Sequence, residues 1–299
     1  MSRPGPPGPP AMPAAEADRP TLATPGYRAS DRRRLSYATT FPEPWRRATI
    51  RGIEWATGKR RLLGRVRRFE REGVETGQAF FDHALAVMGI ALAVPPAAAA
   101  RIPRSGPLVV VANHPHGLVD GIVLASLLGR VRGDYRILTR SLLAGVPEVE
   151  HVLLPVPFPH EPGARARNLA TRARAERQLA MGGAVALFPA GAVAASRTLW
   201  GPPEEPPWLP FTARLVRRGG ATVLPVRFPG ANSRLYQIAA RLSPVLRQGL
   251  LLHEVVRALD RPQRPVVGRP IPPEEWAPHA GNATAFASWL RARCLALEG

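Results

Sequence analysis

Past about residue 107 the chain alternates short apolar runs with longer stretches whose apolar residues recur at helical spacing. The short runs are 108–112, 135–138, 184–188 and 222–228; the longer ones are 121–128, Ala164–Ala180, 208–218 and 235–259. LVVVA, AVALF and TVLPV hold no charged position, as strands covered on both faces require. Strand-like runs alternating with helical ones predict an α/β domain with parallel or mixed strands over residues 101–299. No internal repeat with a period of 20–50 residues interrupts the pattern.

The chain ahead of this domain reads differently. Residues 1–26 hold eight prolines and no apolar run, which excludes a signal-peptide core and predicts a disordered tail. Stretch 84–100 is the most apolar in the chain, but it falls short of the ~20 residues that span a bilayer. Pro95-Pro96 breaks it, so it predicts a buried or interfacial helix and a protein that is soluble or peripheral to a membrane. Between these lies a basic segment. Leu62, Leu63, Val66 and Phe69 recur at helical spacing beside Arg60, Arg61, Arg65, Arg67 and Arg68, with Trp45, Ile50, Ile53 and Trp55 preceding them. Residues 27–100 are therefore expected to form a basic, apolar helical segment that associates with membranes.

Charge sharpens this expectation. Against 22 acidic residues stand 41 basic ones, a net +19, and the stretch from Arg28 to Arg71 alone supplies +10, with fourteen basic residues against Asp31, Glu43, Glu54 and Glu70. Anionic head groups attract such segments by about 1 kcal/mol per surface cation, and tryptophan favours the headgroup boundary. The alternative reading is a solvated helix face. Nucleic acid is the other polyanion, but the chain lacks aromatic stacking platforms, zinc-finger spacing and a helix-turn-helix pattern, so no nucleic-acid partner is expected. Lys59 is the only lysine, and an arginine bias this strong reflects GC-rich coding as much as guanidinium chemistry. A single cysteine, Cys294, excludes an intramolecular disulfide and multi-cysteine metal sites, which fits a reducing cytosol.

Chemistry concentrates just after the LVVVA run, in Asn113-His114-Pro115-His116-Gly117-Leu118-Val119-Asp120-Gly121. Two imidazoles and a carboxylate share one strand-to-helix turn, at the strand end where α/β proteins place their ligands. A histidine there can act as general base near neutral pH, with a carboxylate on its other nitrogen fixing the tautomer. No serine or cysteine nucleophile accompanies the cluster, which favours direct attack by a substrate hydroxyl over a covalent intermediate. Two other readings stand beside this one. Both histidines could satisfy backbone groups in a tight Pro/Gly turn, or His-x-His with Asp120 could bind a metal, although Gly121 occupies the place where metallo-hydrolases need a further histidine.

At these residues the chain resembles the lysophospholipid and glycerolipid acyltransferases, the 1-acylglycerol-3-phosphate acyltransferase-like superfamily, and especially its hemolysin-like bacterial branch. Asn113, His114, Pro115, Asp120 and Gly121 match the first motif; Phe188-Pro189-Ala190-Gly191 matches the second. Leu224-Pro225-Val226 and 228–236, FPGANSRLY, resemble later signatures, and 139–143 and 155–158 resemble connecting segments, in the family's order. The resemblance implies a glycerolipid acyltransferase fold, with a mixed central sheet flanked by helices, and an O-acyltransferase without cofactor or metal. The expected reaction moves an acyl chain from acyl-CoA or acyl-carrier protein to the hydroxyl of a lysolipid. His114 is the implied base and Asp120 its orienting carboxylate. His116, Phe188, Pro189, Gly191, Arg197, Gly230, Asn232 and Arg234 are the implied substrate-binding residues. The implied location is the cytoplasmic face of the inner membrane.

Two departures from the family pattern matter. His114 precedes Asp120 by six positions, where the commoner motif has five, and His116 stands four before it, so either imidazole is a candidate base, with His114 favoured by the Asn-His-Pro alignment. The threonine and arginine that commonly follow Phe-Pro-Glu-Gly are here Ala192 and Val193, which removes the usual phosphate clamp. The acceptor is then either lysophosphatidate-like, with Arg197 or Arg234 reaching the phosphate, or a lipid with another head, such as a lyso-ornithine lipid. A non-enzymatic membrane-binding protein is the alternative function.

Overall fold

The computed structural model describes residues 35–140, 146–158 and 160–298. The tail expected over 1–26, the arginines up to Arg34, and Ser141 to Leu143 of the family-like segment lie outside those residues. Helices α1 (Pro44–Ala56), α2 (Lys59–Glu72), α3 (Gln78–Met88) and α4 (Pro96–Ala99) precede strand β1 (Leu108–Ala112). Then come α5 (Leu118–Gly129), β2 (Tyr135–Thr139), β3 (Leu153–Pro155), α6 (Ala164–Ala180) and β4 (Ala184–Leu187). A hairpin of β5 (Ala195–Ser196) and β6 (Pro203–Glu204) leads to α7 (Pro210–Gly219) and β7 (Thr222–Arg227). Helices α8 (Arg234–Leu242), α9 (Pro244–Gly249) and α10 (Leu251–Ala258), strand β8 (Val266–Val267), α11 (Pro273–Trp276) and α12 (Ala283–Leu295) follow.

The six-stranded sheet runs β3-β2-β4-β1-β7-β8, parallel except for β8, which pairs antiparallel with β7. It is a mixed, mostly parallel α/β sheet, one of the two arrangements that the apolar runs leave open. All five positions of β1 are fully buried, because the strand is covered on both faces. Leu108, Val110 and Ala112 join Phe81, Leu85, Val123 and Leu252 on one side; Val109 and Val111 join Leu179, Leu215, Val216 and Phe286 on the other. Side-chain alternation along a strand thus builds two core layers, with β1 between β4 and β7.

Two sequence expectations change. Stretch 84–100 is not one helix: α3 stops at Met88 on Gly89, at φ +69°, and Leu92 bridges Gln263. Stretch 235–259 forms three helices, because Pro244 cannot continue α8 and instead opens α9, capped by the Ser243 hydroxyl accepting from Val245 N. The basic segment is helical, and its apolar residues have partners in the fold. Leu62, Leu63 and Phe69 of α2 are buried, Leu62 and Phe69 in the same core as β1, so the helix spends its apolar stripe inward. Its guanidiniums are partly engaged as well: Arg65 reaches the Val87 carbonyl, and Arg61 and Arg65 pair with Asp260. Among the described residues, no helix is long and apolar enough to cross a membrane.

Lys59 is buried too, its Nζ 3.3 Å from Glu54, whose carboxylate also accepts from Ser36 Oγ and Tyr37 N at 2.7 Å each. Removing one partner strands a buried charge. Lys59→Met is expected to cost about 3–5 kcal/mol of unfolding free energy, with much of it recovered when Glu54→Leu is added. Urea unfolding of the two variants checks this; a single variant as stable as wild type would overturn it.

Candidate active site

The carboxyl ends of β1, β4 and β7 lie side by side, and each continues into one of the loops singled out by sequence. Asn113 ties two of them together. Its Nδ2 donates to the Phe228 carbonyl at 2.8 Å and its Oδ1 accepts from Phe228 N at 2.6 Å. The third loop is tied by Ala194 N donating to the His114 carbonyl at 2.9 Å. His114 is therefore presented from a backbone held on both sides, since its own N–H donates to Glu205 Oε2 at 3.1 Å.

Asp120, in the first turn of α5 and wholly buried, organises the rest. Its Oδ2 accepts from His114 Nδ1 at 3.0 Å, His116 N at 2.8 Å and Gly117 N at 3.1 Å, and its Oδ1 meets His116 Nδ1 at 2.9 Å. Gly117 makes this possible with φ +86°, a conformation that a side chain would strain. One carboxylate thus holds two imidazoles. Because it only accepts, each Nδ1 carries the hydrogen and each Nε2 is left free.

The electrostatics follow from this arrangement. Burial alone would raise the Asp120 carboxyl, but the hydrogen bonds and charges of His114 and His116 bring it from 3.8 down to about 2. Burial alone would lower His116; the Asp120 hydrogen bond and charge, with Glu254 contributing, outweigh it and raise the imidazole above 6.5. Glu205 goes the other way: burial lifts it above its ordinary value despite donors from His114 N and Trp208 Nε1.

The remaining candidates divide into two groups. Phe188 stacks on the His114 ring at 4.0 Å and 22°, and Gly191, at φ +65°, turns the chain back so that its N–H reaches the Phe188 carbonyl. The Pro189 carbonyl accepts from Leu209 N. Gly230 packs against His116: a Cβ there would stand 3.2 Å from Nε2, so the glycine makes room for that ring. Asn232 is buried, with its Nδ2 unpaired among the described residues. Arg197 and Arg234 are engaged by the hairpin: Arg197 Nε pairs with Glu204 at 2.7 Å, and Arg234 Nη1 donates to the Gly201 carbonyl at 2.9 Å. The family-like segments at 140 and 158 meet, with the Arg140 guanidinium 5.8 Å from the centre of the Phe158 ring.

Two site residues escaped the sequence reading. Glu205 sits in a proline-rich hairpin without periodicity; the one available signal is Trp208 three residues on, whose indole needs a buried acceptor. Glu254 lies inside an apolar helix and holds the start of α8 through Ser233 N at 3.0 Å and Ser233 Oγ at 2.5 Å. Among the described residues, no group of three or more His, Cys, Asp or Glu is arranged to hold a metal ion.

Comparisons with known proteins complete the picture. A sequence model of the acyltransferase family matches residues 76–256. Among curated proteins, the chain is similar to the lyso-glycine lipid O-acyltransferase of Phocaeicola vulgatus, at 26% identity over 193 residues, 59% of this chain and 67% of that one. Among solved structures it is similar to the 1-acyl-sn-glycerophosphate acyltransferase of Thermotoga maritima. The TM-score is 0.45 and the identity 15%, over 76% of this chain and 78% of that chain.

Proposed function

Since the chain belongs to the acyltransferase family, we propose that it transfers an acyl group from a thioester of coenzyme A or acyl-carrier protein to the hydroxyl of a lysolipid. We place it in the hemolysin-like bacterial branch of that family. The observation that carries this reading is the hydrogen bond of 3.0 Å between His114 Nδ1 and buried Asp120. His114 Nε2 takes the proton of the acceptor hydroxyl as its oxygen attacks the thioester carbonyl. Asp120 balances the imidazolium so formed. The tetrahedral intermediate collapses with cleavage of the C–S bond, and His114 returns the proton to the departing thiolate. The products are an ester and a free thiol. Such base assistance is worth about 10²–10⁴-fold, so positioning of the acyl carbonyl supplies much of the remaining rate.

The acceptor is an amino-acid lysolipid in preference to lysophosphatidate. Ala192 and Val193 supply no cation, and the two candidate arginines, Arg197 and Arg234, are engaged by the hairpin. The similarity to a lyso-glycine lipid O-acyltransferase supports the same choice. The enzyme works at the membrane that holds its acceptor, on the cytoplasmic side, where the acyl thioesters are. Family membership displaces the alternative of a non-catalytic membrane-binding protein.

The test is transfer of labelled acyl chains from each thioester to a panel of lysolipids. Amino-acid lysolipids are expected to exceed lysophosphatidate in kcat/KM by about tenfold or more. A preference for lysophosphatidate would overturn the acceptor assignment, and absence of transfer to every lysolipid would overturn the function.

A further inference from the structure

Helix α8 presents an apolar stripe to its surroundings. Leu235 and Leu242 are 51% and 66% exposed, and Ile238 stands half-buried between them, a spacing of three and four residues that places all three on one face. Tyr236 and Gln237 are buried on the other side of the helix, and Ala239, one turn from Leu235, is buried at the edge of the stripe. The hydrogen bond from Arg234 to the Gly201 carbonyl sets the tip of the β5–β6 hairpin beside this stripe. That tip adds Leu199 and Trp200, the latter 74% exposed. Exposed large apolar groups that gather in one place mark a binding surface.

The face is contiguous with the active site. Ser233 caps α8, Asn232 precedes it, and Gly230 two residues earlier packs on His116. Its charge is one-sided as well. Arg234, Arg241 and Arg247 belong to α8 and α9, which hold no acidic residue, and Glu204 at the base of the hairpin is paired with Arg197. A bilayer with anionic head groups meets both requirements, an apolar interior for Leu235, Leu242 and Trp200 and negative charge for the arginines around them. A second copy meets them poorly, because a two-fold contact through this face would bring the same arginines against their own equivalents.

We infer that α8 and the β5–β6 hairpin tip form the surface that docks this protein on an anionic lipid bilayer. The role that the charge pattern suggested for α2 then falls to a face that opens on the histidines. This rests on the reading of the acceptor as a membrane lysolipid.

The experiment uses the full chain with vesicles of phosphatidylcholine and phosphatidylglycerol, and with phosphatidylcholine alone. The variant Trp200→Ser/Leu235→Ser/Leu242→Ser is expected to lower partition onto the anionic vesicles about tenfold or more. Its circular dichroism and its transfer of acyl chains to a short-chain, monomerically dispersed lysolipid are expected to match wild type. In the comparison variant, Arg60→Gln/Arg67→Gln/Arg71→Gln in α2, partition is expected to fall by less. Wild-type partition in the apolar variant would overturn the inference, as would loss confined to the α2 variant. So would a wild-type dimer that the apolar variant converts to monomer without change in partition. If partition falls as expected but no lysolipid is acylated by wild type, docking stands and the acyl-transfer reading fails alone.

Discussion

Alanine at His114 is expected to lower kcat/KM for acyl transfer about 10²–10⁴-fold, while alanine at His116 costs less than about tenfold. Both rings present a free Nε2 and both lean on Asp120, so the distinction rests on what surrounds each. His114 is stacked on Phe188, and its backbone is tied on one side to Glu205 and on the other to Ala194. Those backbone bonds survive the substitution, so the loop keeps its place and the loss reports the missing base. His116 lies against Gly230, and the Asp120 and Glu254 charges make it hold a proton more firmly than a free imidazole does. That suits a hydrogen-bond donor better than a group that must accept a proton. Steady-state kinetics on the two variants, with unfolding curves to confirm the fold, decides between them. Inactivity of the His116 variant beside an active His114 variant would move the base to His116.

The central strands were legible because β1, β4 and the middle of β7 are buried on both faces, and the sequence there is free of charge up to Arg227. The loop after β1 was legible for a different reason. Proline and glycine punctuate it, and titratable groups at a strand end stand out against an apolar background. For helix α2 the amphipathicity reports only that one face is apolar; what covers that face is a tertiary fact, and here it is the core that includes β1. The break between α8 and α9 was visible in Ser243-Pro244, yet the apolar run continues through it and masked the punctuation.

The site itself divides along the same line. Residues delivered by the three strand ends were found by their motifs. Glu205 was not, because it arrives from 91 positions away through a hairpin whose two adjacent glutamates look alike in sequence. Only packing separates them: Glu204 pairs with exposed Arg197, while Glu205 turns inward to the His114 N–H and the Trp208 indole. The doubled grip of Asp120 was hidden similarly. His114 and His116 stand two residues apart, a spacing that does not share one helix face, and a turn opened by Gly117 at φ +86° brings both rings to one carboxylate.

That doubled grip shapes what asparagine at position 120 will do. Three donors converge on Oδ2, namely His114 Nδ1, His116 N and Gly117 N, and one on Oδ1, His116 Nδ1. An amide has a single acceptor oxygen, so it turns that oxygen to the three donors and its NH₂ to His116. His114 keeps its tautomer, and His116 is forced into the other one. What the reaction loses is the negative charge opposite the His114 imidazolium, so kcat is expected to fall about 10²–10³-fold with little change in KM for the thioester.

The pH dependence of stability gives a second readout of the same substitution. In wild type the raised His116 contributes stability that is present in full below about 6.5 and drains away as pH rises through its folded value. The lowered Asp120 contributes stability above 3.8 that is lost as pH falls towards about 2. With asparagine the carboxyl no longer titrates and the His116 proton loses its partner, so urea midpoints should flatten in both windows. A variant with wild-type turnover, or with an unchanged stability profile across neutral pH, would show that Asp120 neither balances one imidazole nor charges the other.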